Sequence, residues 1–145
     1  MNRRAIRIAA LAIFATAGFA VSAYALDPAP TTVVTPIFSS QVTAAGQPIV
    51  LPTQDARVVA SQYDIPPGAS LPVHKHPFPR YAYVAAGELR VTDAETGKST
   101  DYKTGDFIIE MVGRWHQGAN LGTEAVKLIV IDLVEGDVGN TVLKQ

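Results

Sequence analysis

The sequence predicts an all-β fold, because short runs rich in β-branched and aromatic residues alternate with turn signals and helical periodicity is almost absent. The first run, 57–65, stops at the Pro-Pro-Gly sequence that follows it. Two runs flank Gly87, which predicts a hairpin there. The last run, 125–134, is apolar at both alternating positions, a pattern typical of a strand buried on two sides. Many short strands between turns predict a sandwich, a jelly roll or a barrel.

The chain divides into three predicted parts. Residues 1–25 contain a short basic region, an apolar stretch and a small-x-small ending, the parts of a secretory signal peptide. The apolar stretch is too short and too interrupted to favour a membrane anchor. We predict that 26–52 form an extended arm with an edge strand and that 53–145 form the barrel. Cleavage after residue 25 would place the mature protein in the periplasm or outside the cell.

Charge and cysteine content exclude several classes of function. Residues 1–25 hold three of the 12 basic residues and no acidic one, so nine basic and 13 acidic residues remain, a net charge of −4. This balance predicts no nucleic-acid partner, and no membrane partner after cleavage. The chain has no cysteine, which excludes disulfides, thiolate catalysis and cysteine-containing zinc sites. A mature chain of this size can bury enough apolar surface to fold without disulfides.

The three histidines of the chain, His74, His76 and His116, are candidate metal ligands. Two residues that are two apart on a strand present their side chains on the same face, so His74 and His76 would face one ion. A third imidazole from a distant strand completes a set suited to iron, manganese, zinc, nickel or copper. A His-x-His pair by itself more often marks ordinary surface or hydrogen-bonded histidines. The glycines around these histidines therefore decide between the two interpretations.

Glycines frame the histidines in two stretches with fixed spacing. Glycine permits the tight turns that bring successive strands together, here the strand of His74 and the strand of His116. The first stretch contains Gly68, His74, His76, Arg80 and Gly87, and the second contains Gly105, Met111, Gly113, His116 and Asn120.

The two stretches resemble the motifs of the cupin superfamily, G-x5-H-x-H-x3/4-E-x6-G and G-x5-P-x-G-x2-H-x3-N. The resemblance implies a double-stranded β-helix, or jelly-roll barrel, that holds one divalent metal ion through His74, His76 and His116. Met111 replaces the proline of the second motif, which changes only the rigidity of a turn. Arg80 replaces the glutamate of the first motif, which would be the fourth protein ligand.

The arginine at position 80 leaves three alternatives for the site. A guanidinium cannot ligate a metal, and a dication repels it unless an anion lies between them. A three-histidine site with open positions is the first alternative. The second is a metal-free pocket in which Arg80 binds a carboxylate, and the third is a vestigial pocket in a structural protein.

Three residues are candidate substrate-binding residues: Arg80, Glu110 and Trp115. Glu110 ends an apolar run, and if it points inward it needs a partner. We therefore expect Arg80 to point into the barrel and to make a charge-assisted contact with Glu110. The alternative is a Glu110 that faces solvent. Trp115 is a candidate for the mouth of the barrel, or else a core or interface residue, and no catalytic acid or base is identifiable.

The resemblance implies a range of functions, from dioxygenases, isomerases, epimerases and decarboxylases to ligand-binding domains without turnover. Three neutral imidazoles with open positions suit a metal that binds a small organic substrate and activates oxygen or water. This favours a metal-dependent, dioxygenase-like oxidoreductase, with a non-catalytic domain that binds a small molecule or a metal as the alternative. The apolar residues of 33–51 exceed what a loose tail needs, so we expect a homodimer in which the arm covers a sheet edge.

Overall fold

Nine β-strands and no helix make up the part of the chain that the structure, a computed structural model, describes, residues 31–145. The prediction of an all-β fold is therefore confirmed, whereas the predicted signal peptide lies outside the described residues. Among residues 31–145 no helix capable of crossing a membrane is found. The strands are β1 (Ala56–Ile65), β2 (His74–Lys75), β3 (Arg80–Ala86), β4 (Glu88–Asp93), β5 (Ser99–Lys103), β6 (Phe107–Ile109), β7 (His116–Ala119), β8 (Val126–Glu135) and β9 (Val142–Leu143).

The strands form two antiparallel sheets, in the orders β1-β8-β3-β6 and β5-β4-β7-β2-β9. Each sheet contributes alternate apolar side chains to one shared core. This core stabilises the fold without disulfides, although many of the strands are short. The core consists of Ile65, Ala82, Val84, Leu89, Val91, Ile108, Met111, Val126, Leu128 and Val130.

Strand β8 is buried on one face only, so the prediction of burial on both faces is wrong. Its side chains alternate between buried positions and exposed or half-buried ones along the whole strand. The outward residues Ile129, Ile131 and Leu133 are apolar, but nothing in the described part of the chain fully covers them. Apolar residues at both alternating positions therefore occur here on a strand whose outer face is apolar but not buried, and the sequence pattern does not distinguish these two cases.

The predicted hairpin around Gly87 is also wrong, because β3 and β4 belong to different sheets. One residue is too short for an antiparallel turn, and the chain instead crosses from one sheet to the other at Gly87. Two features explain why position 87 is a glycine. Its φ of 77° lies in the left-handed region that favours glycine, and an added Cβ would lie only 2.8 Å from the carbonyl oxygen of Ala125. The hairpin that does form joins β4 to β5 through the turn between them, 94–98.

The N-terminal arm forms no edge strand in its described part, 31–52, where the only β-pairing is the isolated bridge between Val42 and Pro48. Residues 43–47, the arm turn, nevertheless attach to the barrel. The amide of Ala44 donates a hydrogen bond to the carbonyl of Ile109 at 2.8 Å. Nε2 of Gln47 donates a hydrogen bond to the backbone carbonyl of Val112 at 2.8 Å, and Oε1 of Gln47 accepts one from the backbone N–H of Val112 at 3.1 Å. The arm turn therefore lies beside β6, an edge strand.

Candidate metal centre

The three histidines converge inside the barrel because two strands from distant parts of the chain pair at them. Strand β2 pairs with β7 so that His74 lies opposite His116. His76 follows in a parallel bridge with Val112. All three side chains are buried, and the rings of His74 and His116 lie 4.5 Å apart between centroids. The structure thus brings together the histidines that the sequence singled out.

Each imidazole is oriented by a backbone carbonyl. Nδ1 of His74 lies 2.8 Å from the carbonyl oxygen of Pro72. The corresponding distances are 2.6 Å from His76 to Asn140 and 2.9 Å from His116 to Arg114. A carbonyl oxygen only accepts, so each Nδ1 carries the proton and donates it. In a neutral imidazole the lone pair then belongs to Nε2, the atom that would ligate a metal.

Glu110 supplies a carboxylate where the three imidazoles meet. Its Oε2 lies 3.1 Å from Nε2 of His76 and 3.1 Å from Nε2 of His116, and these two nitrogens are 3.2 Å apart. With His74 included, the four residues offer ligand atoms within 4.8 Å of one another. One ion with ligand bonds of about 2.0–2.2 Å spans about 4.4 Å between opposite ligands, so small movements bring all four atoms to it. This group could hold a metal ion.

The electrostatics of the cluster show how strongly these groups interact. Burial opposes the charged form of Glu110, but its hydrogen bonds to His116 and His76 outweigh burial and hold its pKa well below the usual range. Burial also disfavours the charged form of His116, yet Glu110 raises its pKa above the ordinary 6.5. His74 lacks such a contact, and burial lowers its pKa. The carboxylate is therefore ionised and faces positive charge, the state in which it ligates a cation.

Arg80 points into the barrel, but its predicted contact with Glu110 is not made. Its Nε and Nη2 atoms donate to the two carboxylate oxygens of Asp132, at 2.7 and 2.9 Å, and both side chains are buried. Burial opposes the charge, yet the hydrogen bonds to Asp132 raise the pKa of Arg80. The anion that compensates Arg80 is thus Asp132, directly opposite it in the pairing of β3 with β8. Nη1 of Arg80 remains 3.5 Å from Nε2 of His76.

Asp132 and Asn140 are site residues that sequence reasoning missed. The side-chain amide of Asn140 donates to Asp132 at 2.6 Å, and its backbone carbonyl orients His76. A signal for Asp132 was present, because it is the acidic member of the alternating series whose apolar members fill the core. No comparable signal marks Asn140, which lies in the loop after β8.

Trp115 is not brought to the ligand cluster. It precedes His116 in the chain and is half-buried, and Nζ of Lys75 lies 4.6 Å from its ring centroid. The interior space beside the ligands measures about 20 Å³, which is room for about one water-sized molecule. Arg80, Glu110, His74 and His116 line this space together with apolar core residues.

Comparisons with known proteins agree with this architecture. Residues 61–132 match the family model described as a cupin domain. The chain is 20% identical to the polyketide cyclase RemF from Streptomyces resistomycificus, with a TM-score of 0.52, over 61% of this chain and 63% of the cyclase. It thus spans less than two thirds of that protein. No curated protein sequence matches significantly.

Two further solved structures are similar to the chain. An uncharacterized conserved protein with a double-stranded β-helix domain from Klebsiella pneumoniae subsp. pneumoniae is 30% identical over 66% of this chain and 75% of that protein, with a TM-score of 0.48. A predicted oxalate decarboxylase from Thermotoga maritima is 27% identical over 55% of this chain and 68% of that protein, with a TM-score of 0.48. The match to the cupin domain and the two antiparallel sheets confirm the predicted double-stranded β-helix.

Proposed function

Because the chain belongs to the cupin family, we propose that His74, His76, His116 and Glu110 bind one divalent metal ion in a periplasmic or secreted oxidoreductase. The observation that carries this proposal is the orientation of the imidazoles. Three Nδ1 atoms donate to backbone carbonyls, so the three Nε2 atoms are the ones that point toward the ionised carboxylate. Nε2 lone pairs and a carboxylate in one buried space repel one another unless protons or a cation lie among them, and a metal ion would take the place of the protons.

The chemistry proposed for this centre is dioxygenase-like oxidation of a small organic substrate. A bound iron, manganese or copper ion supplies a binding position for dioxygen and the electrons that activate it. In such a reaction both atoms of dioxygen enter the organic product. The protein side chains orient the ligand set, exclude bulk water and, through the Arg80–Asp132 pair, keep the charge beside the ligands balanced.

A non-catalytic function in metal or small-molecule binding is the second candidate, and two observations favour it. Glu110 brings the number of protein ligands to four, which leaves fewer positions open than three histidines would. The interior space of about 20 Å³ also admits little beside the ligands. Elemental analysis of protein purified from its native compartment separates the candidates. Iron favours oxygen chemistry, and zinc favours storage or structure. The absence of any metal contradicts the metal centre and leaves small-molecule binding without metal.

Replacing Glu110 by alanine should weaken the binding of Zn²⁺ about tenfold or more, because the variant loses the only anionic ligand of the cluster. The measurement is competition with a chelating dye. Glu88→Ala is the control, since Glu88 is an exposed glutamate on β4. Equal affinities in the two variants would exclude Glu110 from the ligand set.

We also expect a homodimer, formed through the outer face of the sheet β1-β8-β3-β6. Val58 on β1 is 66% exposed and Ile129 on β8 is 38% exposed, and half-buried apolar residues connect them. An apolar sheet face of this kind is stabilised when a second copy covers it. Light scattering of the mature protein at micromolar concentration should give the mass of two chains. Val58→Glu combined with Ile129→Glu should give one chain, and a single-chain mass of the unmodified protein would contradict the proposal.

A further inference from the structure

A groove of about 360 Å³ lies between β5 and the segment that follows β6, at the edges of the two sheets. This volume is within the range of sites that bind small molecules. Its floor is apolar and consists of Val91, Met111 and the half-buried Tyr102. The arm turn, 43–47, contributes one wall, and residues of the β4–β5 hairpin together with Arg114 contribute the other.

The groove and the interior space beside the ligands share part of their lining. Val91 lines both the groove and the interior space beside the ligands. Met111 follows Glu110 directly in the chain. Burial raises the pKa of the Tyr102 hydroxyl, and the negative charge of Glu110 raises it further. A molecule in the groove would therefore lie next to the cluster without having to fit into the much smaller interior space.

The groove is lined by one acidic residue, Asp93, and by two basic ones, Lys98 and Arg114, beside three hydroxyl groups. The carboxylate of Asp93 is already used, because it accepts from the amides of Glu95 and Thr96 and pairs with Nη2 of Arg114 at 2.6 Å. Among the described residues Nε of Arg114 has no hydrogen-bond partner, although a carboxylate oxygen of Glu95 lies 3.5 Å from it. That nitrogen is closed to solvent, but the Arg114 side chain as a whole is 28% exposed, so the rest of its guanidinium is accessible to an anion. Lys98 adds an exposed ammonium group to the same rim.

We propose that this groove binds the organic substrate of the metal centre and that the substrate is a small carboxylic acid with an apolar body. Arg114 and Lys98 bind its carboxylate, and Val91, Met111 and Tyr102 contact its body on the side of Glu110. This assignment rests on the proposed function, because it takes the metal centre as the place of reaction. The binding itself is measurable without turnover.

The test is a titration of ¹⁵N-labelled mature protein, loaded with Zn²⁺, with benzoate and with benzamide, which has the same shape but no charge. Benzoate should shift the amide signals of the arm turn and of residues 96–102, and benzamide should bind at least tenfold more weakly. Arg114→Gln combined with Lys98→Gln should reduce the affinity for benzoate about tenfold or more. Lys98→Gln alone, a change at an exposed residue, should reduce it about threefold.

Lys103→Gln is the matched control, because Lys103 lies on β5 next to Tyr102 but is exposed on the other face. Zinc content is measured in every sample, which separates the two proposals. Full zinc content with no benzoate shifts in the groove, or with equal shifts from benzamide, overturns this inference alone. Benzoate shifts in the groove of a protein that binds no zinc overturn the proposed metal centre and support an acid-binding groove.

Discussion

Replacing His74 and His76 together by alanine should reduce the metal content of the mature protein from about one divalent ion per chain to none. The double variant keeps only His116 and Glu110 of the four candidate ligands, and two ligands do not hold an ion against dialysis. Metal content after loading and dialysis, measured by mass spectrometry, is the test. Unchanged stoichiometry would rule out this site.

The control for this experiment lies between the two histidines. Lys75 shares their strand but directs its ammonium group over Trp115, outside the barrel. Lys75→Ala should therefore retain full metal content. His116→Ala is a second test on a different strand, and it should also lose the ion. Circular dichroism of all variants distinguishes the loss of a ligand from the loss of the fold.

Removing one partner of the Arg80–Asp132 pair should lower the free energy of unfolding by about 3–5 kcal/mol, because it leaves a buried charge unpaired. Such a loss is a large part of the stability of about 5–15 kcal/mol that is typical of a domain. Asp132→Asn keeps the shape of the side chain and removes its charge. Denaturation by urea gives the difference from the unmodified protein. We expect this variant to bind metal more weakly as well, because the uncompensated positive charge of Arg80 would repel a cation. Nη1 of Arg80 lies only 3.5 Å from Nε2 of His76.

The chain offers a matched control for this prediction in a second bidentate pair. Arg90 donates to both carboxylate oxygens of Asp101, at 2.6 and 2.7 Å, but both side chains are exposed. Asp101→Asn should cost much less than Asp132→Asn, because water solvates the arginine that remains. Equal losses in the two variants would contradict the role of burial. Arg80→Met combined with Asp132→Leu should be more stable than either single replacement, since no charge is then left unpaired.

The fold class and the three clustered histidines could be predicted from the sequence because local patterns encode them. Turn residues such as those at 95–98 and 104–106 delimit the strands, and alternation along β3 and β8 separates inward from outward positions. The spacing of His74, His76 and His116 within the glycine framework was sufficient to single out the three imidazoles that meet in the structure.

Only the tertiary structure decided which residues meet across the barrel. In the structure Arg80, Glu110 and Asp132 all point inward, and alternation along each strand does not indicate which strands are neighbours. The pairing of β3 with β8 places Asp132 opposite Arg80, 52 residues away in the chain, and leaves Glu110 to the histidines. The sequence predicted that Arg80 points inward, whereas its partner depends on strand order and register, which are set by the packing of the whole core.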